Sequence, residues 1–327
     1  MNAYIFVLIA AAFFSIQFIF SKTYQKNAGG TLLTNFWMSA FYAVWLILIF
    51  FTASGFTLQS TAATWIFSAV NAFCSLFCTG ATIMAYGLGS MSTVTLYLLV
   101  GGQAVPFVYG ILTGARPSLL CYAGFAVMLL SFLPGIFLVP KEKTESNTTA
   151  EKKQGAGSKR ILFHLLCFVI FLANGFISVL TTMKAQKDPG TPNSVFLTTN
   201  GICLLLLAGI IILITSCIEK KRHGTGFKSL FLGSVNKKAT WTGALIAFVT
   251  IGLYAGLNGL GNIFSLKAAG TGMSPDIQHP ILNSAIIVFT PFIARIVFKE
   301  KQRAAEILGV VLAIAGILLF LLDYLLG

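Results

Sequence analysis

The chain has 327 residues, of which 57% are hydrophobic and only 9% are charged, and its mean hydropathy is +0.87. A soluble globular domain has roughly 25% charged residues, so this composition excludes a water-soluble fold. The formal net charge of +13 does not indicate nucleic-acid binding, because the basic residues lie almost entirely in short loops between apolar segments.

Ten apolar segments of about 20 residues follow one another along the chain, and each is long enough to cross the hydrocarbon layer as a helix. The first is expected to be a retained span, because no basic region precedes it and no small-residue cleavage site follows it. The predicted spans are Ala3–Phe20, Thr31–Phe51, Trp65–Tyr86, Thr93–Thr113, Leu119–Val139, Ile161–Met183, Ser194–Cys217, Thr242–Ile263, Pro275–Val297 and Ala304–Leu326.

Two polar stretches interrupt this pattern. Lys141–Arg160 is charged, rich in Ser and Thr and without a hydrophobic face, so we expect a flexible linker between two halves, residues 1–140 and 161–327. Glu219–Lys238 contains a short apolar patch, Phe227–Phe231, which is either a segment on the headgroup surface or part of an ordinary loop.

The last five spans repeat the first five. Short identical or similar pairs occur in the same order in both halves, at 32–35 and 197–200, 63–65 and 239–241, 91–92 and 273–274, 106–107 and 291–292, and Gly124 and Gly309. Because five is an odd number, two such halves must have opposite orientations in one membrane. The sequence therefore predicts an all-α membrane protein of ten transmembrane helices, arranged as two inverted five-helix repeats around a central cavity, as in secondary transporters.

The basic residues give an orientation. Of the 22 basic residues, 18 lie in the loops that follow the odd-numbered spans, and four lie in the others. The positive-inside rule then places the odd loops in the cytoplasm, beside anionic lipid headgroups, and both termini outside.

The segment 291–317 (PFIARIVFKEKQRAAEILGVVLAIAGI) resembles the Pro, Lys/Glu-turn, Gly, Gly hairpin of the drug/metabolite transporter superfamily, close to its EamA-like branch. The resemblance implies a multi-pass protein of a bacterial plasma membrane, with a central cavity that opens alternately to each side. Helices three, four, eight and nine usually line that cavity in the family. The corresponding first-half turn, 113–118, lacks the glutamate that Glu300 supplies, and the first and sixth spans lack the buried glutamate of the small multidrug relatives. The resemblance therefore does not imply that this chain shares the proton-coupled cation antiport of the small multidrug relatives.

A polar group in hydrocarbon is costly unless it faces a partner or a wet cavity, so polar residues within spans are candidates for substrate binding. The richest cluster lies in the ninth span and contains Gln278, His279 and Asn283. His279 and Asn283 are four residues apart and share one helix face. Pro280 removes the donor to the carbonyl of Asp276 and can free that carbonyl for a ligand. The alternative is a polar helix–helix contact with an ordinary proline kink.

Further candidate substrate-binding residues occur in the eighth and fourth spans. Tyr254, Asn258 and Asn262 recur every four residues and form a polar stripe, beside glycines at 252 and 256 that favour close helix packing. Gln103 and Tyr97 lie in the fourth span, with Gln103 next to two glycines.

No catalytic constellation, Walker loop, metal-ligand spacing or haem motif is present, so we expect neither enzyme activity nor a cofactor, metal or disulfide. The favoured function is secondary transport of a small organic solute, such as a metabolite, an amino acid or a drug-like compound. We expect contact with membrane lipid, a proton or sodium ion as the possible coupling ion, and a monomer or homodimer. The alternatives are a membrane-embedded enzyme acting on a lipid or isoprenoid-like substrate, and a channel or metal-ion carrier. The scarcity of acid within the spans favours a neutral, zwitterionic or anionic solute.

Overall fold

A computed structural model describes residues 3–28, 32–114, 116–131, 133–134, 150–224, 226–270, 275–300 and 303–326. Within these ranges all regular structure is α-helical. The helices are α1 (Ala3–Asn27), α2 (Leu32–Ala53), α3 (Ala62–Leu88), α4 (Met91–Leu112), α5 (Leu119–Leu130), α6 (Ala150–Lys187), α7 (Asn193–His223), α8 (Phe227–Val235), α9 (Trp241–Gly270), α10 (Pro275–Phe298) and α11 (Ala304–Leu326).

The protein is an all-α, multi-pass membrane protein. Eight of the described helices are long and apolar enough to span a bilayer, namely α1–α4, α6, α7, α9 and α10. Two further apolar helices, α5 and α11, have shorter apolar segments of Leu119–Leu130 and Ala304–Leu319. Large apolar side chains are exposed along the outer faces, as expected where lipid replaces water as the solvent.

Several helices extend beyond the predicted apolar spans. Helix α1 continues from Phe20 to Asn27, and α9 continues from Ile263 to Gly270. Helix α6 begins at Ala150, inside the stretch expected to be a linker. Its first turns are rich in Ala, Glu, Lys and Gln, which are strong helix formers although they are not apolar.

Serine and threonine caps define three helix starts. Thr61 accepts a hydrogen bond from the Thr64 N–H at 3.1 Å and begins α3. Ser90 accepts one from the Thr93 N–H at 3.2 Å and begins α4, and Ser118 caps α5 in the same way. These caps satisfy backbone donors that the first turn of a helix leaves unpaired.

The apolar patch between α7 and α9 forms a short helix, α8. Its Leu232 and Val235 side chains are buried against α2 and α9, and the Thr34 hydroxyl donates to the Ser234 carbonyl at 2.8 Å. Phe231 packs on Trp37 with ring centroids 4.6 Å apart. The patch is therefore a docked helix at one end of the bundle.

The largest helix contacts join elements that are far apart in sequence. Helix α1 packs against α9 and α10, and α6 packs against α3 and α4. Helix α2 packs against α7 and α9, α3 packs against α7, and α5 packs against α11. Residues 3–131 therefore do not fold as a separate bundle from the rest of the chain.

Close approach of two helices requires glycine at the α4–α6 contact. A Cβ atom at Gly101 would lie 2.2 Å from the Phe171 carbonyl oxygen, and one at Gly175 would lie 2.3 Å from the Val105 side chain. The Asn174 amide donates to the Leu98 carbonyl at 2.8 Å and fixes the same contact. The two predicted packing glycines of α9 have different surroundings. Gly252 contacts the Trp45 ring, whereas no atom lies within 4 Å of a Cβ placed at Gly256.

Candidate functional site

Four helices form a closed ring in the bundle. Helix α1 contacts α3 and α10, and α4 also contacts α3 and α10. The C-terminal ends of α1, α3 and α10 and the N-terminal end of α4 lie at the same end of this ring, which is named here the α1/α3/α4/α10 ring.

The α1/α3/α4/α10 ring carries most of the buried polar atoms that have no hydrogen-bond partner. In the described part of the chain there are nine such side-chain atoms, and seven belong to these four helices. A buried polar group without a partner costs free energy, so a water, an ion, a ligand or a neighbouring side chain is expected to pair with it. The Tyr86 and Thr95 hydroxyls lie close enough to pair with each other. The seven are on Gln17, Asn71, Tyr86, Ser92, Thr95, Gln103 and Thr290.

Helix α10 carries the richest cluster of predicted site residues. The backbones of Gln278 and His279 belong to its first two turns, and their side chains lie outside the described residues. Asn283 is partly exposed and lies next to the buried Leu282. Helix α10 contacts both α4 and α9, the two helices that carry the other candidate residues.

The α9 stripe is partly satisfied within its own helix. The Asn262 amide donates to the Asn258 carbonyl at 2.8 Å and to the Asn258 side-chain oxygen at 3.1 Å. Tyr254 packs edge-on against Tyr42 of α2, with ring centroids 5.2 Å apart. Both asparagines keep partial exposure.

The two α4 candidates have different surroundings. The Gln103 amide nitrogen is buried and unpartnered, whereas Gly101 and Gly102 beside it pack against α6. Tyr97 is buried, and its hydroxyl lies 3.4 Å from His164 Nδ1 on α6. His164 was not among the predicted site residues, since its place early in a span indicated an interfacial position.

Tyr97 also lines a small cavity between α4, α11 and the end of α5. The enclosed part of this cavity has room for about one water molecule. Its wall includes the buried Ser92 hydroxyl and the Glu306 carboxylate, which accepts a hydrogen bond from Ser90 at 2.8 Å. Tyr97 therefore faces a site that is separate from the first turns of α10.

One end of the α1/α3/α4/α10 ring is closed by an ion pair, which is named here the Lys22–Glu300 latch. The Lys22 ammonium donates to the Glu300 carboxylate, and the side chains are only 7% and 15% exposed. Glu300 also accepts from the Met91 N–H, the first residue of α4, at 3.2 Å. The Lys22 ammonium lies 5.2 Å from the Phe298 ring centroid and 5.9 Å from that of Tyr86. The latch thus touches all four helices of the ring.

This pair was not predicted from the sequence. The first predicted span ends at Phe20, which places Lys22 in a loop, whereas the residue lies inside α1 and is buried. Glu300 was noted only as part of the hairpin resemblance. A signal was present, since Glu300 is the one acid in the turn between two apolar spans, but its partner lies 278 residues away.

A second buried lysine lies near the C-terminal end of α6 and is bound differently. Lys184 donates to the Thr191 carbonyl, and Asp188 lies nearby, so its partners belong to the connection between α6 and α7. Asp188 accepts hydrogen bonds from the hydroxyls of Thr61 at 2.6 Å, Thr191 at 2.9 Å and Thr64. The hydrogen bonds from Thr61 and Thr64 hold the pKa of Asp188 below its ordinary value.

The six cysteines are free thiols. Within the described ranges, no three His, Cys, Asp or Glu side chains are placed to hold a metal ion. The arrangement offers amides, hydroxyls and aromatic rings, which are able to form neutral hydrogen bonds and stacking contacts.

The comparisons with known proteins show the fold alone. No protein-family model matches the chain, and no curated protein matches it significantly in sequence. A solved structure, described only as the crystal structure of a protein, is similar over 99% of this chain and 98% of that chain, with 14% sequence identity and a TM-score of 0.52.

Proposed function

We propose that this protein is a secondary transporter that moves a small organic solute across a bacterial plasma membrane by alternating access. In this proposal ten spans form two inverted five-helix halves, residues 1–140 and 161–327, and α5 and α11 are the fifth and tenth spans. The stretch 141–160 connects the halves.

The observation that carries the proposal is the exchange of helix contacts between the halves. If α1–α5 correspond in order to α6, α7, α9, α10 and α11, then α1 packs on α9 as α6 packs on α3. In the same way, α1 on α10 corresponds to α6 on α4, and α2 on α9 corresponds to α7 on α3. Exchanging the halves leaves three further contacts unchanged, because each joins two corresponding helices: α2–α7, α4–α10 and α5–α11. A two-fold relation between the halves predicts this exchange, whereas the contacts of α3 with α1 and α2 have no counterpart of similar extent between α9 and α6 or α7.

The α1/α3/α4/α10 ring is the proposed pathway. Its unpartnered amide and hydroxyl atoms favour a polar solute that can satisfy them without a full counter-charge. Gln278, His279 and Asn283 lie toward the start of α10, at the end of the ring opposite the Lys22–Glu300 latch. Gln103 lies in the middle of α4.

The latch is the proposed closed gate. It joins α1 and α4 of the first half to the connection that follows α10 of the second half. Alternating access requires one end to be closed while the other admits the solute, and rocking of one half against the other would separate these charges.

A transport assay tests the proposal. Compounds from metabolite and drug pools that stabilise the purified protein would be used as labelled solutes in counterflow into proteoliposomes. We expect at least one of them to be carried, and we expect Gln103→Ala, Gln278→Ala, His279→Ala and Asn283→Ala to reduce its uptake about tenfold or more, the effect of losing one good hydrogen bond in a dry site.

Thr181→Ala is the matched control, because Thr181 is exposed on α6 and its hydroxyl bonds to the Ile177 carbonyl of its own helix. Its uptake should equal that of the unmodified protein. Absence of counterflow for every stabilising compound would contradict transport, and unchanged uptake in all four variants would remove these residues from the pathway.

A further inference from the structure

The end of the bundle near α8 carries a concentrated positive surface. Six basic residues and no acidic residue occur between positions 220 and 241. All six are exposed in the structure. Together with Phe227 and Trp241 they are named here the α8 surface, and they are Lys220, Lys221, Arg222, Lys228, Lys237 and Lys238.

The α8 surface is held rigidly against the transmembrane helices. Helix α8 buries Leu232 and Val235 in a cluster with residues of α1, α2, α3 and α9. The Lys237 N–H donates to the Asn27 carbonyl at the end of α1 at 3.0 Å. The apolar face of α8 is thus largely buried against the protein, whereas Lys228 and the neighbouring basic side chains are exposed.

Aromatic rings lie beside these cations. Phe227 is 51% exposed and Trp241 is 59% exposed, and the Lys228 ammonium lies 5.8 Å from the Trp241 ring centroid. A tryptophan at the start of a transmembrane helix, beside a lysine of a short docked helix, is typical of the depth at which lipid headgroups lie. A partner for this surface must offer negative charge and an apolar part together.

We propose that the α8 surface binds anionic phospholipid headgroups. The phosphodiester oxygens accept hydrogen bonds from Lys228 and the neighbouring basic side chains, and the upper acyl chain packs against Trp241 and Phe227. Clusters of four to eight basic residues next to a transmembrane helix attract anionic lipid in this way. The bound lipid joins α8 to the ends of α7 and α9, so it stabilises the docked position of α8.

Thermal unfolding of the purified full-length chain in neutral detergent tests this proposal, with phosphatidylglycerol or phosphatidylcholine added. We expect phosphatidylglycerol to raise the unfolding midpoint by several degrees and phosphatidylcholine to leave it unchanged. In the variant Lys221→Gln/Lys228→Gln/Lys238→Gln this increase in the unfolding midpoint should be lost. Lipid retention in native mass spectrometry should fall about tenfold or more, since each of these positive charges adds to the attraction for an anionic lipid surface.

The matched control is Arg116→Gln/Lys187→Gln/Lys267→Gln, which removes three exposed positive charges that lie outside the α8 surface. It should keep the full response to phosphatidylglycerol. An equal loss in this control would show that net charge alone acts. An undiminished response in the α8 variant would show that its cations are not needed, and either result would overturn the proposal. Stabilisation of the unmodified protein by inorganic phosphate to the same degree would also overturn it, because the surface would then recognise a soluble anion.

Discussion

Asp188 shows how a single charged residue is kept at the end of a membrane bundle. Its carboxylate accepts hydrogen bonds from threonine hydroxyls of two connections, one before α3 and one between α6 and α7. These bonds favour the ionised form and lower the pKa of Asp188. The carboxylate therefore ties two loops together only while it is ionised.

This predicts a pH-dependent contribution to stability. A carboxyl whose pKa is lower in the folded state stabilises the fold above its ordinary pKa of about 3.9, and the contribution is lost as the pH falls through the lower folded value. The unfolding midpoint should therefore decrease between pH 5 and pH 3, and this decrease should be smaller in Asp188→Asn. Thermal unfolding across this pH range measures it. Thr61→Val/Thr64→Val should resemble Asp188→Asn, and equal slopes in all three proteins would contradict the assignment.

Residue-level contacts were the least predictable part of the molecule. Polar residues within spans could be found from the sequence, because their cost in lipid makes them conspicuous. Their partners could not. Lys22 is buried because Glu300 neutralises it, and no local pattern relates two residues 278 positions apart. The role of the Gln278 and His279 side chains in substrate binding stays a prediction.

At the scale of elements, the apolar spans were predictable and their ends were not. Hydropathy detects the lipid-facing part of a helix, whereas the helix continues wherever its backbone hydrogen bonds are favourable. Helix α7 accordingly extends from the predicted end at Cys217 to His223, through charged residues. The patch Phe227–Phe231 forms α8 because Trp37 and its neighbours on α2 and α9 bury it, which a local sequence window does not reveal.

Helix packing gives a second prediction. A methyl group at Gly101 would overlap the backbone of α6 at Phe171, so Gly101→Ala should force α4 and α6 apart. Overpacking of this kind costs about 1–3 kcal/mol. We expect a clearly lower unfolding midpoint and less folded protein by size-exclusion chromatography.

Gly209→Ala on α7 is the control, because no atom lies within 4 Å of a Cβ placed there. Replacing a helical glycine by alanine without a clash is neutral or stabilising by about 1 kcal/mol. If Gly101→Ala and Gly209→Ala had equal midpoints, the close α4–α6 contact would be wrong.

At the scale of the whole molecule, the Lys22–Glu300 latch should keep one end of the bundle shut. Breaking one partner of a buried pair leaves an unpaired charge and costs about 3–5 kcal/mol, so both partners are replaced together. Cys167 is fully buried on α6 and serves as the reporter, with the other five cysteines changed to alanine. Lys22→Gln/Glu300→Gln should raise the alkylation rate of Cys167 by N-ethylmaleimide several-fold.

The control for this prediction is Lys187→Gln/Asp323→Asn, which also removes one positive and one negative charge but leaves the latch intact. Its alkylation rate should equal that of the unmodified background, and both variants must elute as folded protein. An unchanged rate in the latch variant would show that the pair has no role in closing this end.

The overall arrangement could be inferred in outline from the sequence. The membrane character follows from composition, and the helix count differs only in how the short apolar segments of α5 and α11 are assigned. Hydropathy could not predict which helices pack against each other, since every apolar helix has several faces that could pack. The weak internal similarity predicted two inverted halves, and that arrangement stays a prediction.

The two lysines at the ends of α1 and α6 have unequal partners, a carboxylate of the other half for Lys22 and a backbone carbonyl of its own connection for Lys184. In the proposed carrier the inward and outward forms are then unequal in free energy, and the empty protein rests mainly in one of them. Such a bias cannot change where the solute gradient comes to equilibrium. It appears instead as different half-saturation concentrations on the two faces, balanced by different maximal rates. The fluxes from the two faces are therefore equal when solute is scarce and differ when it is abundant.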